Sequence, residues 1–171
     1  MLRVEEKQEV NFSADLLNKF GDIVGRYPDG KQKSALLPIL HEVQAVYGWV
    51  SPEAMDKVAE FLDIQAIEVY EVATFYTMFF LRPQGKFVLE ICRTGPCNIV
   101  GAEKIADYIG EKLGVKEGEV TADGLFSYRG VECLAACGYA PVLQIGPEYT
   151  FHENLTKESV DQLIEDLKRK N

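Results

Sequence analysis

The chain has 171 residues, 47% of them apolar, enough to bury a sizeable core in one domain with an extension or in two small domains. A formal net charge of -9 argues against nucleic acid, whose phosphates would repel it. No apolar run approaches the roughly 20 residues of a membrane-spanning helix, and the opening stretch MLRVEEKQEV has no apolar core for a secretory signal, so a cytosolic chain is expected, reaching a membrane only through partners.

The first half reads as helices. Ser13 is placed as an N-cap, Phe12 and Leu17 have the spacing of a hydrophobic staple, and Leu16, Phe20, Ile23, Val24 and Tyr27 form a helical stripe that Pro28-Asp29-Gly30 ends. A second helix is expected from about Gln32 to Tyr47, with Leu36, Leu37, Leu40, Val43 and Tyr47 inward and Gly48 as its stop. Pro38 inside it predicts a kink or a late start. Ser51-Pro52 opens a third helix through Met55, Val58, Ala59 and Leu62, and a short fourth is expected near Ile64 to Phe75. No alternating strand pattern occurs before residue 85, so residues 1–82 read as a helical bundle. His41, a lone helical histidine, is assigned no role. The dense aromatic run Thr74 to Phe80 is expected to pack the bundle against the following domain, with a subunit interface as the alternative.

The pattern changes after Leu81-Arg82-Pro83-Gln84-Gly85, which has the turn chemistry of a domain boundary, and residues 83–171 form a second domain. Lys86 to Cys92 reads as a strand, Arg93 to Pro96 as a loop, and Asn98 to Leu113 as a helix whose apolar face carries Ile99, Ile105, Ala106, Ile109 and Leu113. Leu125 to Val131 is a second strand, Val142 to Ile145 and Tyr149 to His152 two more, and a helix follows Thr156, with Leu155 and Val160 at staple spacing.

All four cysteines fall in this second half, as C-x4-C at Cys92 and Cys97 and C-x3-C at Cys133 and Cys137. Four thiolates suit a soft metal centre. Structural zinc sites take their cysteine pairs most often from C-x2-C knuckles, whereas these wider loops suit a two-iron cluster in which each pair holds its own iron. Zinc remains open on spacing alone. Disulfides fit poorly in a cytosolic chain of this length, and the C-x-x-C of a thioredoxin-type dithiol is absent. Each pair follows a strand, where loops of α/β sheets habitually bind ligands, and Gly95 permits close backbone approach.

Three segments together carry a resemblance: Cys92-Arg93-Thr94-Gly95-Pro96-Cys97, Glu132-Cys133-Leu134-Ala135-Ala136-Cys137-Gly138-Tyr139-Ala140-Pro141, and Val69-Tyr70-Glu71-Val72-Ala73-Thr74-Phe75-Tyr76-Thr77-Met78-Phe79. With them, nearly the whole chain resembles the small [2Fe-2S] subunit of the NADH-oxidising flavoprotein module, found in NADH:quinone oxidoreductase (complex I) and in NAD-linked hydrogenases and formate dehydrogenases. The resemblance implies an α+β chain, an N-terminal helical bundle followed by a thioredoxin-like α/β domain binding one [2Fe-2S] cluster. Its four ligands fall on Cys92, Cys97, Cys133 and Cys137. The implied partner is a flavoprotein subunit carrying FMN and the NADH site, in a heterodimer within a larger complex peripheral to the inner membrane. A stand-alone thioredoxin-like ferredoxin is the simpler alternative, and the helical half argues against it.

The chain has no G-x-G-x-x-G fingerprint and no acid–base constellation, so an electron carrier without its own NADH or flavin site is expected, with catalysis belonging to the assembly. Reduction would turn a doubly negative cluster triply negative, a step that an acidic protein makes harder and that Arg93, Arg129 and backbone N–H groups would ease.

Overall fold

The computed structural model describes residues 8–170, which divide between Pro83 and Gln84 into two units. Most of the opening stretch read for a secretory signal lies outside the described residues.

The first unit holds four helices: α1 (Ala14–Val24), α2 (Leu36–Tyr47), α3 (Pro52–Leu62) and α4 (Ala66–Phe75). Their apolar stripes meet in one core built around Phe20, Ile39, Leu40, Val43, Val58 and Val69, all fully buried. Ser13 caps α1, its Oγ accepting from the Leu16 N–H at 3.2 Å. Phe12 packs edge-on against Phe20, with ring centroids 5.3 Å apart, while Leu17 stays 38% exposed. Pro38 is the third residue of α2, a position whose N–H has no intrahelical partner to lose, and a 3-10 turn over Gln32–Ala35 fills the stretch before it. The helix therefore starts late rather than kinking. Gly48 then ends α2 in the left-handed conformation at φ 80°, its N–H bonded to the Gln44 carbonyl.

Ser51 is fully buried, and its Oγ accepts from the Ala54 N–H at 3.1 Å to cap α3. Ser51→Ala would strand that N–H away from water as well as uncap the helix. Its expected cost is about 1–2 kcal/mol, read as a lower urea midpoint with unchanged slope.

The aromatic run after α4 is divided. Phe79 and Phe80 are buried and Phe79 lies against His41, whereas Phe75 is 77% exposed. The buried Gln44 holds the segment to α2: its Oε1 accepts from the Phe80 N–H at 2.6 Å and its Nε2 donates to the Met78 carbonyl at 2.9 Å. At least Phe79 thus belongs to the bundle's own core.

The second unit is a four-stranded mixed sheet with helices. Its strands are β1 (Phe87–Cys92), β2 (Phe126–Val131), β3 (Leu143–Gly146) and β4 (Thr150–His152), in the spatial order β2-β1-β3-β4. β1 and β2 run parallel, with Phe87 opposite Phe126 and Cys92 opposite Val131, and the other two pairings are antiparallel. A parallel neighbour requires a crossover, here made by α5 (Gly95–Ile99) and α6 (Ala102–Leu113). The closing helix α7 (Lys157–Arg169) is capped by Thr156, whose Oγ1 accepts from the Ser159 N–H while Ser159 Oγ accepts in return from the Thr156 N–H. Leu155 and Val160, at staple spacing, are both buried in the core formed with Leu89, Ile91, Ile109, Phe126 and Ile164.

One predicted element is corrected. The single helix expected from Asn98 to Leu113 is two, separated at Gly101, whose φ of 99° no L side chain adopts comfortably. The break shifts the helical phase, and Ile99, placed by periodicity on the apolar face, is 86% exposed. The architecture is the expected α+β, a helical bundle followed by a sheet domain.

Candidate metal centre

The four cysteines reach one end of the sheet because β1 and β2 are parallel: both strands finish at the same edge, and each hands over to a cysteine-bearing loop. Cys92 is the last residue of β1, the strand flanked on both sides. Its N–H donates to the Val142 carbonyl at 3.1 Å, and the next N–H, of Arg93, donates to the Val131 carbonyl at 3.0 Å. The end of β1 is thereby fixed from two directions. After extended Thr94 the chain turns into α5, which carries Cys97 inside its single short run. Cys97 is therefore helical rather than the end of a loop.

The second loop leaves β2 at Val131. Cys133 Sγ accepts from the Ala135 N–H at 3.3 Å, and Ala135 takes the left-handed conformation at φ 56°. Cys137 opens a 3-10 turn that ends at Tyr139. The carbonyls of Tyr139 and Pro141 accept from the N–H groups of Asn154 and Leu155, anchoring this loop to the segment that leads into α7.

The four thiols form an inner and an outer couple. Cys92 and Cys97 are each 2% exposed, while Cys133 and Cys137 are exposed. Cys92 and Cys97 shift each other's titration in opposite directions, the N–H of Leu134, from the second loop, lowers that of Cys92, and Cys97 feels the charge of Cys137. Burial pushes the Cys92 thiol up, but the Thr94 hydroxyl at 3.3 Å and the N–H groups of Thr94 and Leu134 outweigh it and hold the thiol below its ordinary range. Burial and the neighbouring Cys92 and Cys137 raise Cys97 instead, against the N–H of Val142.

The donor chemistry fits an iron–sulfur centre. Four sulfurs from two adjoining loops are available, with backbone N–H groups directed at Cys92, Cys97 and Cys133. Among the described residues, no three or more His, Cys, Asp or Glu side chains surround a single position for one metal ion. Cys92, Cys97, Cys133 and Cys137 are the residues that could hold a centre here.

Two arginines were expected near such a centre. Arg93 bridges the loops to Glu132 at 3.3 Å, but the two side chains are 60% and 76% exposed, so this pair is solvated and contributes at most about 1 kcal/mol. Arg129 instead pairs with buried Glu90. Sequence reasoning missed Glu90 and the Thr94 hydroxyl. The signal for the first was present, a lone carboxylate inside the apolar strand KFVLEIC; a threonine between two cysteines carries no comparable mark.

A family model described as thioredoxin-like [2Fe-2S] ferredoxin matches residues 20–168. The chain is 43% identical to one of the NADH-quinone oxidoreductase subunits of Rickettsia bellii, over 92% of this chain and 95% of that protein. It is 36% identical to NADH-quinone oxidoreductase subunit 2 of Thermus thermophilus, over 93% of this chain and 87% of that one. Among solved structures, a chain of an NAD+-reducing [NiFe]-hydrogenase superposes on 79% of this chain with a TM-score of 0.67 at 19% identity; the match spans 23% of that longer chain and is a likeness of fold. No helix among the described residues is long and apolar enough to cross a membrane.

Proposed function

The chain belongs to the thioredoxin-like [2Fe-2S] ferredoxin family, and we propose that it is the electron-transfer subunit of an NADH dehydrogenase module of NADH:quinone oxidoreductase type. In this reading Cys92 and Cys97 hold one iron of a [2Fe-2S] cluster and Cys133 and Cys137 the other. When bound, such a cluster accepts and releases single electrons, which suits it to a flavin that receives electrons in pairs from NADH. The observation that supports this most directly is the meeting of two cysteine loops at one end of a parallel strand pair, with Arg93 of the first loop paired to Glu132 of the second at 3.3 Å. The two curated relatives, matched along nearly their full lengths, support the assignment to a quinone-linked complex.

The chain's own residues divide the work. Cys92 and Cys97 form a buried inner wall that excludes water, and the backbone N–H groups around them stabilise thiolate charge. Exposed Cys133 and Cys137 place the outer side of the site where a partner can approach. That partner is a flavoprotein subunit carrying FMN and the NADH site, and the assembly sits on the cytoplasmic side, peripheral to the inner membrane. The helical bundle ahead of the sheet domain is the part that distinguishes this chain from a simple electron shuttle.

The test is anaerobic purification followed by metal and sulfide analysis. About two irons and two acid-labile sulfides per chain are expected, with an EPR signal on dithionite reduction. NADH oxidation is expected only when the flavoprotein partner is present. Colourless protein with stoichiometric zinc, or NADH oxidation by the chain alone, overturns the reading.

A further inference from the structure

The middle of β1 carries a charge where an apolar side chain would do. Glu90 is 2% exposed, and both its carboxylate oxygens are engaged across the sheet. Oε1 accepts from Arg129 Nε at 2.8 Å and also from its Nη2, and Oε2 accepts from Gln144 Nε2 at 2.5 Å. The three residues stand in register on adjacent strands, Glu90 opposite Arg129 on one side and Gln144 on the other. Burying such a pair forfeits the hydration of both ions, and apolar side chains of the same volume often serve stability equally well. The fold alone therefore gives no reason for a charged pair here.

Its position does. Side chains alternate along a strand, so Glu90 and Cys92 lie on the same face of β1, two residues and about 7 Å apart. Charges so placed are screened far less than surface charges. The Tyr149 phenol registers both of them: burial raises it, Glu90 raises it further, and Arg129 partly opposes.

We infer that Glu90 and Arg129 are positioning residues for electron acceptance at the cysteine site, a charge-compensated pair in which Glu90 holds the guanidinium in place and offsets its attraction for an added electron. The inference rests on the cluster reading above. In the pair, the carboxylate and guanidinium nearly cancel at the site. Removing the carboxylate alone leaves a permanent cation, because arginine does not deprotonate, and a nearby cation eases the arrival of negative charge.

The experiment is an EPR-monitored redox titration of the iron-loaded full chain. Glu90→Gln keeps volume and hydrogen-bonding capacity, and its midpoint potential should move positive of the wild type. The double variant E90Q/R129Q, which removes both charges, should return close to the wild-type value. Glu90→Met provides a second single replacement should the amide variant fold poorly, and it must shift in the same direction. Unmoved potentials in the single variants, a double variant that stays shifted with them, or a negative shift in either Glu90 variant overturns the inference. Wild-type chain that binds no iron and sulfide instead fails the cluster reading, and this inference falls with it.

Discussion

Cys97→Ala should abolish cluster binding while leaving the protein folded: iron and acid-labile sulfide fall from about two of each per chain to near zero, and the visible absorption and EPR signal disappear. Cys97 is 2% exposed and packs in the core beside Cys92 and Ala102, so alanine removes one buried sulfur atom and leaves a cavity smaller than a leucine truncation produces. The expected stability loss of the metal-free chain is about 1 kcal/mol, too little to unfold it. The two readouts separate because packing asks little of Cys97, whereas the proposed ligation depends on its sulfur entirely. Cys137→Ala, at an exposed position, should lose the cluster with still less change in the metal-free protein's denaturation. Either variant retaining a full complement of iron and sulfide would remove that cysteine from the ligand set.

Gly85→Ala should destabilise the second unit by about 3 kcal/mol, near the upper end of what overpacking costs. A Cβ at Gly85 would lie 2.4 Å from the Phe126 carbonyl carbon and 2.7 Å from both Phe126 Cα and Ser127 N. These are backbone atoms of β2, which cannot swing aside as a side chain can. The Gly85 N–H also donates to Ser127 Oγ at 3.2 Å, so any retreat of the chain gives up that bond. Gly85 is where the polypeptide slides in beside β2 before β1 begins, and the parallel pairing depends on that approach. The check is urea denaturation beside a Gly138→Ala control, whose Cβ would meet nothing within 4 Å. A Gly85→Ala midpoint equal to wild type would mean that the β1–β2 edge yields more easily than its backbone contacts imply.

Much of the fold was legible because its signals are local. Ser13, Ser51 and Thr156 cap the helices they precede, since a hydroxyl next to a helix start satisfies an otherwise orphaned N–H whatever else the chain does. The strands bearing Cys92 and preceding Cys133 were legible from β-branched and aromatic runs ended by turn residues. What local pattern could not supply was the meeting of those two ends. The pairing of Phe87 with Phe126 joins residues 39 positions apart, and no short-range periodicity encodes it. Gly101 hid for a different reason: a helical glycine and a helix-breaking glycine look alike in sequence, and only the φ of 99° separates them. Gln44 looked like an ordinary polar residue on a helix, yet it is buried because the Met78–Phe80 backbone brings it both a donor and an acceptor.

The parallel pairing of β1 and β2 also fixes when the cysteine site comes into being. Its two couples are separated by a crossover, so an unfolded chain holds them apart, and bringing them together costs loop-closure entropy that only the completed sheet offsets. Contacts of such long sequence separation form late and slowly. On this topology the inner couple, Cys92 and Cys97, is made within a few residues of chain, while the outer couple arrives only when β2 has docked along β1. Metal delivered before that moment meets two unrelated thiol pairs, each open to scavenging by any thiophilic ion. On this topology the four thiols share one place only after β2 has docked along β1, so the completed sheet is what makes a four-sulfur site out of two separate pairs.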